Sequence, residues 1–294
     1  MAAPPGSLQA HYPFTSRFLD VGGIRCHYLD EGRGEPIVML HGNPTWSFYY
    51  RHLALALRDH YRVVVPDHVG CGLSDKPQAY DYCLERHIAN LETLIDRLAL
   101  DRVTLVMHDW GGPIGMGYAV RHPENVRRFV VFNTAAFWLP RVPIFLRLCR
   151  LPVLGSLIVR RLNLFAVLAL YIGCRRRERM SEEIRRGYLA PYDTYANRVA
   201  ILRFVQDIPV HSRHRSFGVL RSIEAGLKQF QDARMLVVWG GQDPVFTDLF
   251  LAGWKERFPG AVVKRIDEAG HYVVEDAYER IIPWLHEFLR DHPA

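Results

Sequence analysis

No stretch of the 294-residue chain reaches the roughly 20 consecutive apolar residues that a membrane-spanning helix requires. The five cysteines, Cys26, Cys71, Cys83, Cys149 and Cys174, are odd in number, scattered and without C-x-x-C spacing. They argue against a disulfide framework and for reduced thiols in a cytoplasmic protein. Gly70-Cys71-Gly72 follows a strand-like run but lacks the third glycine and the downstream context of a dinucleotide or phosphate loop. His211-Ser212-Arg213-His214 offers two histidines and no third ligand at a useful spacing, so an exposed polar loop is the better reading than a metal site. No cofactor and no metal are therefore expected. The stretch Met1 to Ser7 has neither a basic n-region nor an apolar h-region, which argues against a secretory signal. Internal repeats and low-complexity linkers are also absent from the pattern.

What is there is a core-forming composition. Hydrophobic residues make up 49%, too many for general disorder, and the length suits one large α/β unit with an insertion. The net charge of +6 is concentrated between Arg141 and Arg186 rather than spread in a stripe beside a recognisable module, so nucleic acid is not an expected partner.

Strand-like runs alternate with helical ones. Arg17 to Val21 and Ile24 to Leu29 flank Gly22-Gly23, a hairpin signal. Pro36 to Leu40 is a continuous apolar run of the buried, parallel type, and a helix from about Trp46 to Arg58 follows. Next come a strand, Tyr61 to Val65, a glycine-containing loop, and a helix, Leu84 to Leu98, with apolar residues at helical spacing. The strand beginning at Val103 leads to Asp109. After it come a helix, Gly112 to Arg121, and a strand, Val126 to Phe132. The pattern then breaks, and resumes with a strand, Arg234 to Trp239, a helix, Thr247 to Arg257, a strand, Ala261 to Ile266, and a helix, Glu275 to Arg290. This alternation predicts a doubly wound, mostly parallel α/β sheet. Residues 1–136 and 217–294 form its core. Residues 137–216, rich in Leu and Arg and without strand-type runs, form an inserted helical cap.

Val103-Thr104-Leu105-Val106-Met107-His108-Asp109-Trp110-Gly111-Gly112 reads as a strand, a sharp turn and a glycine-opened helix. It is a nucleophile elbow with aspartate at its apex and Met107 in place of the first glycine of G-x-S-x-G. Taken alone, Asp109 could equally cap the following helix. Asp243, in Gly240-Gly241-Gln242-Asp243-Pro244, could be ordinary turn chemistry, and a lone loop histidine such as His271 is more often structural. Their order, Asp109 then Asp243 then His271, each at a strand end, is that of an α/β-hydrolase triad, and ligands of open α/β sheets bind at those ends.

An aspartate needs no base to activate it, since a carboxylate with an ordinary pKa near 3.9 is ionised at neutral pH. It can attack an electrophilic carbon bearing a leaving group, forming an ester, and His271, oriented by Asp243, can then activate water. The departing anion needs donors. The Trp110 indole N–H and the Asn43 amide supply them, and the backbone N–H groups of the same two residues are placed for an oxyanion hole. The competing reading of Trp110 is a plain core aromatic.

Within the cap, Leu162 to Gly173 is apolar but only about a dozen residues long. Arg160-Arg161 and Arg175-Arg176-Arg177 close it. It reads as a core-facing helix, as the wall of a lipid-sized pocket, or as a surface that docks on a membrane or partner. Basic runs of this kind are most often solvated helix faces.

His41-Gly42-Asn43-Pro44-Thr45-Trp46-Ser47-Phe48, Gly72-Leu73-Ser74-Asp75-Lys76-Pro77 and His108-Asp109-Trp110-Gly111-Gly112 resemble the haloalkane dehalogenases, in particular their third subfamily. The resemblance covers the chain outside its first dozen residues. It implies an α/β-hydrolase fold with Asp109 as nucleophile, His271 as base, Asp243 as orienting acid, and Asn43 with Trp110 as anion site. A different subfamily takes its acid from the end of the strand before the cap, where this chain has Asn133-Thr134 and no carboxylate. Ala190 to Arg198, Arg203 to Pro209 and Asn133 to Phe137 are similar to the β-lactone decarboxylases of bacterial long-chain olefin biosynthesis. That resemblance implies conversion of cis-3,4-dialkyl β-lactones to cis-alkenes and carbon dioxide. The greasy cap favours a substrate with long alkyl arms, so the lactone leads and dehalogenation of haloalkanes is the alternative. An epoxide hydrolase, with Tyr171, Tyr188, Tyr192 or Tyr195 assisting ring opening, and a catalytically silent receptor or scaffold rank below both. The partner expected is a hydrophobic long-chain small molecule. Other enzymes of the olefin pathway, a homo-oligomer and peripheral membrane contact through the cap are left open.

Overall fold

The computed structural model describes residues 9–291. The Met1 to Ser7 stretch, on which the signal-peptide reading rests, lies outside the described residues. Eight strands form one sheet: β1 (Arg17–Val21), β2 (Ile24–Glu31), β3 (Pro36–Leu40), β4 (Arg62–Pro66), β5 (Val103–Asp109), β6 (Val126–Thr134), β7 (Arg234–Gly240) and β8 (Val262–Ile266). Their spatial order is β1-β2-β4-β3-β5-β6-β7-β8. Pairings β1–β2 and β2–β4 are antiparallel and the rest parallel. Along β3, Ile37 and Met39 pack into the core on one face while Val38 and Leu40 pack into the core on the other. Apolar side chains on both faces are what a parallel sheet covered by helices demands.

The helices are α1 (Arg51–Leu57), α2 (Leu84–Arg97), α3 (Gly111–Arg121), α4 (Ile144–Cys149), α5 (Pro152–Gly155), α6 (Leu164–Gly173), α7 (Glu182–Leu189), α8 (Val199–Gln206), α9 (Phe217–Gly226), α10 (Asp248–Arg257) and α11 (Val273–Asp291). A π-helical turn, Ser156–Arg161, continues α5. Between Thr134 and Arg234 the described chain is helical or irregular, without a strand. Two expected helices differ in form. The run from Trp46 splits into a 3₁₀ turn, Ser47–Tyr50, whose first N–H donates to the Asp67 carboxylate at 2.7 Å, and α1. The last helix begins at Val273, two residues early, and kinks at Ala277.

One buried ion pair in the core is not where apolar patterning would look for it. Arg51 on α1 and Glu275 on α11 form a buried two-pronged pair, at 2.8 and 2.6 Å, and Tyr188 of α7 donates to the same carboxylate at 2.7 Å. This ties the segment between β6 and β7 to the flank of the sheet. Burial alone would raise the Glu275 carboxyl, but Arg51 and Tyr188 outweigh it and hold its pKa below 4.5. Removing one partner of such a pair leaves an uncompensated buried charge. Arg51→Ala is expected to lower unfolding stability by about 3–5 kcal/mol in urea at neutral pH. Because the Glu275 pKa is depressed in the fold, the pair's contribution is complete above 4.5 and is lost as pH falls through the folded value. The gap between wild type and variant should therefore narrow on acidification below 4.5.

Candidate active site

The chain winds outward from β3 to β4 and then returns to place β5 on the other side of β3. Strand order reverses between β3 and β5, and in open α/β sheets that crevice, at the carboxyl ends, is where ligands bind. Asn43 follows β3, and Asp109 ends β5.

Asp109 sits at φ +50°, in the left-handed region where a non-glycine residue is uncommon. The neighbouring glycines show why the bend is so tight. A Cβ on Gly111 would lie 2.0 Å from the Leu40 carbonyl oxygen, and one on Gly112 would lie 1.9 Å from Thr134 Oγ1. Met107, standing where a glycine was expected, is fully buried; the room it takes is left by Gly115, whose Cβ would fall 2.6 Å from the Met107 sulfur. The Thr134 hydroxyl donates to the Asp109 carbonyl, fixing the apex to the end of β6.

The structure brings the five predicted residues together. His271 Nδ1 lies 2.7 Å from Asp243 Oδ2, and His271 Nε2 lies 3.8 Å from Asp109 Oδ2. On the other carboxylate oxygen, the Asn43 backbone N–H donates to Asp109 Oδ1 at 2.6 Å. Burial raises the Asp109 pKa above 3.8, opposed by His271 and by the backbone N–H groups of Asn43 and Trp110. Burial also pulls His271 down, but the charges of Asp243 and Asp109 outweigh it and leave the imidazole raised above 6.5. One oxygen of Asp109 is thus anchored by the Asn43 backbone N–H and the other faces a histidine whose pKa is raised.

These groups stand at the base of a cavity of about 500 Å³. Its walls are mainly hydrocarbon and aromatic, including Phe137, Trp138, Leu146, Phe165, Leu168 and Phe250. Trp110 and Asn43 also line it. The Trp110 indole N–H has no hydrogen-bond acceptor among the described residues. Asn43 Nδ2 gives one N–H to the Ile201 carbonyl at 3.2 Å and keeps a second. An anion leaving a carbon attacked by Asp109 would find two donors here. The four cap tyrosines are elsewhere: Tyr188 is bonded to Glu275, Tyr192 to the Thr45 carbonyl, Tyr171 and Tyr195 are exposed, and none lines the cavity.

Several supporting residues were not singled out by sequence reasoning. Asn133, where a carboxylate was looked for and not found, donates to Asp243 Oδ2 at 3.0 Å and exchanges hydrogen bonds with the Gly240 backbone. Its φ of +23° would not be foreseen, although its place at a strand end was a signal. The other Asp243 oxygen accepts from the Val245 and Phe246 N–H groups. His108 donates through Nε2 to the His271 carbonyl at 2.9 Å. His41 donates to the Gly42 carbonyl at 2.7 Å and accepts from the His68 N–H at 3.0 Å, which shapes the turn that presents Asn43. Asp276 accepts from the backbone N–H groups of Gly270, Arg175 and Arg176, stapling the His271 loop to the stretch after α6.

Comparison with known proteins places the fold in a family. A family model described as the alpha/beta hydrolase fold matches residues 35–278. A cis-3-alkyl-4-alkyloxetan-2-one decarboxylase from Shewanella oneidensis is 47% identical over 95% of this chain and 89% of its own length. One of the same name from Xanthomonas campestris pv. campestris is 42% identical over 96% of this chain and 98% of its own. Among solved structures, the haloalkane dehalogenase DatA from Agrobacterium tumefaciens C58 superposes with a TM-score of 0.84 at 27% identity, covering 95% of this chain and 97% of that one.

Because Asp243 holds the His271 imidazole up, Asp243→Asn should let it lose its proton at a lower pH than in the wild type. An NMR titration of the His271 ring reads this directly. Turnover that requires His271 to act on water should fall by about 10⁴-fold, the scale seen when an orienting acid is made neutral.

Proposed function

The chain belongs to the alpha/beta hydrolase fold family, and from that membership we propose that it converts cis-3-alkyl-4-alkyloxetan-2-ones to cis-alkenes and carbon dioxide through an ester on Asp109. The observation that carries the substrate class is the cavity, a hydrocarbon-walled space of about 500 Å³ that ends at a single carboxylate. Each methylene buried there contributes about 0.8 kcal/mol, so two long alkyl arms exploit the walls as a small molecule does not. The 47% and 42% identical relatives that bear this activity in their names support the same reading.

The geometry also favours one route over another. Oδ1 of Asp109 already holds the Asn43 backbone donor, and the Trp110 backbone N–H also favours the Asp109 carboxylate, so these groups serve the nucleophile rather than a carbonyl oxygen of the substrate. Attack therefore falls on the ring carbon that carries the lactone oxygen. Oδ2 forms a bond to that carbon, the ring C–O bond breaks, and the released carboxylate is received by Trp110 Nε1–H and the second N–H of Asn43. The bond from the neighbouring carbon to the carboxylate then breaks. Its electron pair becomes the second bond of the alkene as the carbon–Oδ2 bond breaks, returning Asp109 as carboxylate and releasing carbon dioxide. No water or external proton is consumed. Inversion at the attacked carbon followed by departure of the two groups from opposite faces turns a cis lactone into a cis alkene. A protonated His271 beside Oδ2 stabilises the departing carboxylate.

Dehalogenation is the second reading, favoured by the same pair of N–H donors, which suit a halide as well as a carboxylate. A haloalkane ester has no carboxylate to expel and must be hydrolysed by water that His271 activates. The five free, buried cysteines support a cytoplasmic setting for either reaction.

Purified protein given a long-chain cis-β-lactone should yield cis-alkene and carbon dioxide in equal amounts, and Asp109→Ala should reduce this by at least about 10³-fold. A 1-bromoalkane of similar length is the comparison. Bromide release without any alkene from the lactone would overturn the substrate assignment.

A further inference from the structure

The helices that roof the cavity leave large apolar side chains facing outward. Ile144 is 71% exposed and Val153 84%, and Leu148, Leu151, Leu157 and Leu162 are also exposed. They belong to α4, to α5 and the residue that leads into it, and to the π-helical turn and its end, segments that pack on one another. Phe145 and Leu148 of α4, and Leu164, Leu168 and Ile172 of α6, are at once exposed and part of the cavity wall. The mouth of the cavity therefore opens through this apolar face. Contiguous exposed apolar surface on an otherwise well-packed protein marks an interaction site.

Charge says what covers it. From 137 to 177 the sequence holds eight arginines, Arg141 through Arg177, and no aspartate, glutamate or lysine. Arg141, Arg147, Arg161, Arg175, Arg176 and Arg177 are exposed. Among the described residues, only Arg176 of the eight has an acidic side-chain partner, Glu178, which lies outside that span. A second copy meeting this face symmetrically would set one cationic rim against another, as an isologous contact must. Apolar side chains ringed by arginine are instead the composition of a surface that lies in an anionic membrane interface. No single described helix is long and apolar enough to cross a membrane; the pair Pro152–Arg161 and Leu164–Gly173 is bent by 73°, a shallow wedge rather than a span.

We propose that the face formed by α4, α5, the π-helical turn and α6 docks on an anionic lipid bilayer, so that the cavity mouth opens into the acyl layer. A lipid-soluble substrate then enters, and an apolar product leaves, without crossing water. The docking rests on this surface and not on which electrophile Asp109 attacks.

Flotation of the full chain with vesicles tests it. Vesicles of phosphatidylglycerol and phosphatidylcholine should carry the protein up, vesicles of phosphatidylcholine alone should not, and the bound fraction should drop as salt is raised. Val153→Glu with Leu157→Glu, two exposed positions outside the cavity wall, should cut binding to the anionic vesicles at least tenfold. The thermal melt and the turnover of a short, water-soluble bromoalkane or lactone should stay as in the wild type. Absence of flotation, equal binding to both vesicle types, or full binding by the double variant would overturn the proposal. So would a dimer in sedimentation analysis that the double variant dissociates, since the face would then belong to a second copy.

Discussion

The hydrogen bond from the Asn43 backbone to one oxygen of Asp109 is the constraint on which the site depends. It exists because β3 and β5 are neighbours in space although β4 lies between them in sequence, so two turns meet over one crevice. The turn at Asp109 must also be left-handed, and that conformation survives only with glycine at 111 and 112, where the backbone of β3 and the side chain of Thr134 leave no room for a Cβ. Fixing Oδ1 decides what Oδ2 can do. It faces His271 and the cavity, with its charge kept by donors that need not move during reaction.

Around this centre the electrostatics are arranged in pairs. Asp243 is held by Asn133 and two backbone N–H groups, so its charge is spent on His271 and not on solvent. His271 in turn is raised by two carboxylates against the pull of burial. The roof is joined to the same assembly through Asp276, which bonds the His271 loop and the residues after α6 at once. The helices that set the width of the cavity and the loop that carries the base are therefore mechanically linked, while Arg51, Glu275 and Tyr188 anchor the roof from its other side.

Much of this was legible in the sequence, and the limits have physical causes. Parallel strands buried on both faces announce themselves as continuous apolar runs, and Pro36 to Leu40 or Val103 to Met107 could hardly be read otherwise. The elbow and the order of Asp109, Asp243 and His271 were readable because catalysis demands those residue types at strand ends. Asn133 was noticed for not being a carboxylate and as part of a similar stretch, but not for its role, since a neutral amide that positions another side chain has no spacing signature. Arg51 and Glu275, 224 residues apart, were invisible because a buried ion pair looks like two surface charges until the fold is known. The apolar run from Leu162 is one helix, α6, as its pattern suggested; what it did not announce is the left-handed Asn163 at φ +55° before it, where the roof bends. Of the three readings offered for that run, the core-facing helix and the pocket wall coexist: Ala166 and Leu170 pack into the core, while Leu164, Leu168 and Ile172 line the cavity.

The account's central claim is that Oδ2 of Asp109 bonds covalently to an alkyl carbon. The most direct measurement is peptide mass spectrometry of a His271→Ala variant treated with a long 1-bromoalkane, whose ester carries no carboxylate to expel and so depends on His271 for release. The predicted result is the alkyl mass on the peptide containing Asp109, assigned to that residue by fragmentation and lost when Asp109 is also changed to Asn. An unmodified Asp109, or the alkyl group on a different side chain, would contradict it.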